Sequence, residues 1–562
     1  MSLQPNDDFS IPADTARIVR AALPKGNVYL RMRDELGVVY RDSDFAHLFS
    51  RRGQPAEGPW RLALVTIMQF AEGLTDRQAA EAVATRIDWK YVLGLEVTAP
   101  SFHYSVLSEF RDRVLAGSAE QQLLDRLLAR FGELGLLRQR GRQRTDSTHL
   151  LAAVRSLNRL ELVGETLRQA LEALAETAPE WLLQQVTADW FDRYSYRFEQ
   201  FRLPKDKAER QVLVETIGRD GYQLLTALAT ASAPAEGREL AAVQMLRQVW
   251  LQNYYLEEGC VRWREAGNLP PAACLIQSPY DPEARYSQKR ATEWVGYKMH
   301  LTETCDDDRP HLIVNVETTL ATRPDVAMTD TIHAHLAQRD LLPNEHLLDA
   351  GYVDAGSLAN AHHDFGVDLV GPARLDTTWQ AQYHPDFALA CFTIDWQSQS
   401  VTCPQGRRSR VWSSSHDTFG NQVFHVRFDE HDCSGCAARS QCTQAVSGPR
   451  AIKLRPQAQH EALQQARERQ TTPAFKTTYA KRAGIEATIS QATDAYELRQ
   501  ARYIGLAKTH LQNIVTAIAI NIARADAWLL GKPRAKTRTS KFAALRSAWT
   551  QLTLCLSPGT AT

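Results

Sequence analysis

The run Leu347-Leu348 ends in Asp349 and is followed at once by Ala350-Gly351-Tyr352. A buried strand that stops in this way delivers a carboxylate at its carboxyl edge, where open α/β sheets place their chemistry. Asp354 then stands where the N-cap of a helix is expected, and Val367-Asp368-Leu369-Val370-Gly371 reads as a further strand. Upstream, Val295-Gly296-Tyr297-Lys298-Met299-His300-Leu301 and His311-Leu312-Ile313-Val314-Asn315-Val316 flank the polar turn Asp306-Asp307-Asp308-Arg309-Pro310, which predicts a hairpin. Pro324-Asp325 opens a helix to about residue 336. A hairpin followed by alternating helices and strands predicts a mixed α/β sheet.

An acid at the end of one strand is a weak signal, because turns favour aspartate too. It gains weight from two others. Asp146 lies in Thr145-Asp146-Ser147-Thr148-His149-Leu150, a predicted strand, and Glu486 lies on a predicted late helix. Carboxylates bind hard divalent cations, and two such ions can activate a water and stabilise the leaving oxygen in an in-line phosphoryl displacement. Glu303 and Glu317 are reserve acids, while His149 and His300 read as strand residues lining the site.

The rest of the chain surrounds these acids with mostly helical sequence. Residues 1–135 are helical, with Gly73-Leu74 between two helices and a third near 105–115. That pattern fits a helix-turn-helix or an ordinary helical hairpin. Arg138, Arg140, Arg142 and Arg144 alternate just before Asp146; on an extended chain they share one face, as phosphate contacts would. The first catalytic strand falls in 136–160. Residues 161–284 form a helical insertion, in which the aromatic and basic residues of 193–202 read first as an amphipathic helix with its aromatics in the core. The α/β core resumes over 285–375 and again, with late helices, over 456–530.

Between them, 376–455 is rich in turn formers and cysteines. Cys403, Cys433, Cys436 and Cys442 are four soft ligands with one Cys-x-x-Cys pair, which suits tetrahedral zinc. An iron–sulfur cluster and a metal-free thiol cluster remain open, and Arg407, Arg408 and Arg410 suggest a lobe that touches DNA. Cys260, Cys274, Cys305, Cys391 and Cys555 read as core residues.

Net charge announces no partner, since Lys+Arg and Asp+Glu are both 65. Local clusters must carry any DNA claim, and the tail 531–562 offers one in Lys532, Arg534, Lys536, Arg538, Lys541 and Arg546. The start is polar, and the apolar stretch 511–530 holds Gln512, Asn513, Asn521, Arg524 and Asp526, so no membrane span is expected. Nine scattered cysteines fit a reducing, cytoplasmic setting.

Thr145-Asp146-Ser147-Thr148, Gly296-Tyr297-Lys298, Asp349-Ala350-Gly351-Tyr352 and Tyr479 with Arg482 and Glu486 resemble the DDE-type transposases of bacterial insertion sequences. The stretches 482–491, 498–503 and 505–511 are similar to the group numbered eleven-eighty-two. The resemblance implies a ribonuclease H-like mixed sheet in which Asp146, Asp349 and Glu486 bind magnesium or manganese. Tyr479 and Arg482 would help position DNA. It also implies binding of the element's terminal inverted repeats, metal-dependent hydrolysis and strand transfer on double-stranded DNA, and a homodimer that holds two ends. Work on the bacterial nucleoid follows. The alternative is a structure-specific or defence endonuclease of the same fold without strand transfer. One departure stands out: Thr493 occupies the place of a lysine common in related enzymes. Arg499, Arg502 and Lys508 are the candidates to replace it, and with Lys298 they complete the expected DNA contacts.

Overall fold

The computed structural model describes residues 1–6 and 8–534, with Phe542, Leu545, Arg546 and Trp549. Lys536, Arg538 and Lys541 of the basic tail, and Cys555, lie outside the described residues.

A mixed sheet of six strands organises the centre. Its order is Arg285–Lys289, Thr292–Thr304, Arg142–Leu151, Glu345–Leu347, Asp368–Val370, and Ile313–Leu320 also pairs with Thr292–Thr304. The Asp146 strand runs antiparallel to Thr292–Thr304, with Asp146 opposite Leu301. It runs parallel to the short strand before Asp349, with Arg144 opposite Leu347. That strand is in turn parallel to Asp368–Val370. Parallel neighbours need crossovers. The helices Thr329–Gln338 and Ala355–Phe365 supply them, and the second begins at Asp354, whose carboxylate accepts the Ser357 N–H as an N-cap. The expected hairpin is present but longer than its apolar alternation indicated, and Arg285–Lys289 is an additional strand that its polar sequence concealed.

Gly296 shows why a glycine precedes Tyr297-Lys298. Its φ is +155°, and a Cβ there would collide with the Leu150 carbonyl across the ladder. The two strands approach too closely for any side chain.

One large core joins this sheet to the N-terminal helices. The helix Leu506–Leu529 lies between them, packing on Pro59–Ala71 and Glu120–Glu133 on one side and on Ile313–Leu320 on the other. Its buried Asn521 bonds both the N–H and the carbonyl of Ile313. Among the described residues no helix is long and apolar enough to cross a membrane. Gly73 follows the helix Pro59–Ala71, and Thr75 caps Asp76–Thr85 with a capping box. The second helix then breaks at Arg86, and a third, Ile87–Leu93, follows.

Two further cores are separate. One lies among the helices of 157–276, and the other among the short strands of 389–454. Within the first, Tyr194 and Phe198 are buried as the amphipathic reading expects, but Tyr196 and Phe201 are 66% and 78% exposed.

Candidate active site

Three backbone elements bring the acids together. Asp146 sits in mid-strand and Asp349 two residues past the end of the neighbouring parallel strand. Glu486 is in the first turn of the helix Gly484–Tyr496. What seats that helix against the sheet is a buried charge network. Arg144, two residues before Asp146, pairs with Glu303 at 2.6 Å and donates to the Lys481 carbonyl at 2.5 Å. Gly484 leaves room for it, since a Cβ would strike the guanidinium. Glu303, whose side chain is fully buried, also binds Arg524 at 2.7 Å and accepts from Thr488 Oγ1 at 2.7 Å. Two guanidiniums and a hydroxyl hold this carboxyl below its ordinary range although burial pushes the other way. Glu303 therefore ties the sheet and both late helices together.

Arg482 stands at the point where the acids meet. Its Nη2 lies 2.6 Å from Asp146 Oδ2 and 3.9 Å from Asp349 Oδ2, and its Nη1 lies 2.9 Å from Glu486 Oε1. Burial disfavours its charge, yet the surrounding carboxylates and Tyr479 keep its pKa above the ordinary value. Burial raises the Asp146 carboxyl, opposed by Arg482 and by the Ser147 N–H, which donates to Oδ1 at 2.7 Å. Asp349 Oδ1 accepts the Gly351 N–H at 2.8 Å. Tyr479 is stacked on Phe475 with ring centroids 5.5 Å apart.

All three acids line one open cleft of about 580 Å³. Lys298 and Arg499 line it as well, and so does Thr493. Arg499 donates to Thr148 Oγ1 at 3.1 Å. Of the three cations considered for the place of Thr493, only Arg499 faces the acids. Arg502 instead bonds the Leu74 carbonyl and covers the Phe70 ring, and Lys508 pairs with Asp112 at 3.0 Å. Both tie the core to the N-terminal helices, which corrects their expected place beside the acids.

The arginine row also needs correction. Arg140 has φ +52°, so the row is not one extended face. Arg138 pairs with Asp308, Arg142 with Glu345, and Arg140 bonds Asn344 and the Phe365 and Gly366 carbonyls. Arg144 is buried on Glu303, whereas Arg138 and Arg140 keep these partners at the surface. Glu317 likewise binds His335 at 2.6 Å and is absent from the cleft lining. His300 is buried and held neutral, with a pKa pushed down to about 4 by burial; its Nδ1 meets the Tyr352 hydroxyl at 2.6 Å. His149 lines the cleft and packs on Trp294.

Three residues were missed from sequence. Asp325 reads in the sequence as a helix start, yet its carboxylate binds Lys298 Nζ at 2.9 Å and accepts from Ser147 Oγ at 3.2 Å. A Cβ on Gly351 would lie 3.0 Å from Asp349 Oδ1 and 3.3 Å from Asp325 Oδ2, so Asp325 is a fourth carboxylate beside the site. Lys289 and Arg290 also line the cleft. A polar run gave no signal for either.

Among the described residues no group of three or more His, Cys, Asp or Glu side chains stands ready to hold a metal ion. At the acids the Arg482 guanidinium lies among the carboxylates. The donor chemistry nevertheless fits a hard divalent ion: carboxylate oxygens from separate elements face one solvent-open point. The cysteines fit a soft ion by the same test. Cys403, Cys433, Cys436 and Cys442 line one small cavity, of about 30 Å³. The backbone N–H groups of Arg407 and Arg450 donate to the sulfurs of Cys403 and Cys433 at 3.3 and 3.5 Å. Arg407 and Arg410 are paired with Asp432 and Asp429, and Arg408 bonds Ser398 and Ser400.

Residues 18–113 match the family model of a transposase domain (DUF772), and residues 402–525 match that of a transposase DDE domain. The second segment holds the four clustered cysteines and Glu486. No curated protein and no solved structure matches the chain. The two family matches, one at each end of the mixed sheet in sequence, support a DDE-type insertion-sequence transposase.

Proposed function

We propose that the protein binds the terminal inverted repeats of an insertion sequence, cuts the phosphodiester at each end and joins the freed ends to target DNA. The observation that carries this reading is the meeting of Asp146, Asp349 and Glu486 around one guanidinium in an open cleft. The strand order supports a ribonuclease H-like core: three antiparallel strands, then two parallel ones, with Asp146 on the central strand. The similarity of 482–511 favours the group numbered eleven-eighty-two.

Asp146, Asp349 and Glu486 would hold magnesium or manganese, which supplies activation of the attacking oxygen and charge stabilisation at phosphorus. In the first step a water oxygen bonds to phosphorus and the bond from phosphorus to the 3′ oxygen breaks. The 3′ oxygen gains a proton, leaving a 3′ hydroxyl and a 5′ phosphate. In the second step that 3′ oxygen attacks a target phosphorus, loses its proton, and displaces a target 3′ oxygen. Lys298, fixed by Asp325, and Arg499 face the path of the DNA backbone. Two ends must be present together, so the active form is at least a homodimer, working on DNA in the bacterial cytoplasm and nucleoid.

The test is a cutting and strand-transfer assay with DNA flanking the reading frame, supplied both uncut and pre-cut to expose the 3′ hydroxyl, and a plasmid target with magnesium. Joined products are expected. Cutting without joining would favour the endonuclease alternative, and neither reaction would reject both.

The cysteine lobe is proposed to hold one structural zinc ion. Purified protein should carry about one zinc per chain by elemental analysis, and Cys436→Ala should lower that content strongly. Iron instead of zinc would reassign the cluster, and metal-free protein would remove it.

A further inference from the structure

The tip of the hairpin made by Arg285–Lys289 and Thr292–Thr304 lines the same cleft as the acids. Its base is fixed. Tyr297 donates to Asp281 at 2.6 Å, Trp294 Nε1 donates to the Tyr297 carbonyl at 3.0 Å, and the Ala152 N–H reaches the Val295 carbonyl at 3.0 Å. At the tip Lys289 faces Thr292 across the ladder, and Arg290 turns the chain with φ +57°. Both side chains are exposed and line the cleft. No hydrogen bond or ion pair joins either of them to another described residue.

The other cleft cations are engaged. Lys298 is on Asp325, Arg482 is on the three acids, and Arg499 is on Thr148. The lining holds five cations (Lys289, Arg290, Lys298, Arg482 and Arg499) against four acids (Asp146, Asp349, Glu486 and Asp494). Lys289 and Arg290 are thus the two lining cations whose side chains have no bonded partner among the described residues, and Lys289 lies within electrostatic reach of Asp146. A polyanion entering the cleft would find these two cations unpaired.

We propose that Lys289 and Arg290 grip the DNA backbone beside the phosphate presented to Asp146 and Asp349. This rests on the reading of the protein as a DNA-cutting enzyme. It assigns to the hairpin tip a share of binding that depends on charge and not on base sequence.

The experiment measures binding of the full chain to a fluorescein-labelled duplex of arbitrary sequence, in EDTA, over a range of salt concentrations. Each lost phosphate contact lowers the slope of log affinity against log salt by about 0.9, so K289A/R290A should lower it by roughly 2. K289R/R290K should keep the wild-type slope, and circular dichroism should be the same for all three proteins. An unchanged slope in K289A/R290A, beside a wild type that binds and cuts DNA, would overturn the grip alone. A wild type that neither binds nor cuts DNA would overturn the functional reading with it.

Discussion

Replacing Asp349 by asparagine is expected to abolish cutting of end-containing DNA while leaving the fold and DNA binding in place. Asp349 Oδ1 has one structural duty, accepting the Gly351 N–H at 2.8 Å. The amide oxygen of asparagine can take the same bond. The side chain is 27% exposed, so no buried charge is left unpaired. What is lost is the negative oxygen directed at the point shared with Asp146 and Glu486. Charge stabilisation of several kcal/mol rests on such oxygens in a two-ion site. A loss of roughly 4 kcal/mol corresponds to about a 10³-fold fall in rate. Single-turnover cutting at saturating protein, with magnesium, measures it. Full activity in this variant would end the assignment of Asp349. Asp146→Asn is a less clean probe, because Asp146 is nearly buried and its partner Arg482 would lose a charge-assisted bond as well.

What could be read in advance follows from how local each signal is. Asp349 and Asp146 were visible because an acid at a strand's edge, or within a strand beside small polar residues, breaks an apolar pattern that local sequence displays. The N-cap at Asp354 is equally local. The arginine row failed for the opposite reason. Alternating charge looks the same whether it faces phosphate or carboxylate, and the partners Glu303, Asp308 and Glu345 lie more than 150 residues away. Glu303 looked like a reserve acid, and only the packing of two late helices on it reveals a structural hub. Asp325 was hidden by its place after a proline, where a helix start is a sufficient explanation. Lys289 and Arg290 were hidden because exposed strand ends are commonly charged. The choice among Arg499, Arg502 and Lys508 is a question of direction, which spacing along the chain does not encode.

Arg482 leads to the less intuitive expectation. Removing it should tighten metal binding and weaken DNA cutting together. Its guanidinium takes an oxygen of Asp146 at 2.6 Å and one of Glu486 at 2.9 Å. A divalent ion at the acids needs those same oxygens, so guanidinium and ion compete. Arg482 and Asp146 are largely buried, whereas Glu486 is 64% exposed and its bond is screened. The competing term is then about one charge-assisted bond, of order 1.5 kcal/mol, or about tenfold in affinity. Arg482→Gln should bind Mn2+ about tenfold more tightly by calorimetry of the full chain without DNA. Arg482→Lys keeps the charge but cannot span Asp146 and Glu486 at once, and should fall between the two. Cutting by Arg482→Gln should nonetheless drop at saturating metal, because the guanidinium displaced from the acids is the group placed to meet the incoming phosphate. Equal or weaker Mn2+ binding in Arg482→Gln would sink the competition and leave Arg482 as a structural brace. Tighter binding with unimpaired cutting would leave it as a mere occupant of the site. Only the two changes in opposite directions fit a residue that keeps the acids assembled before metal arrives and turns to the DNA afterwards.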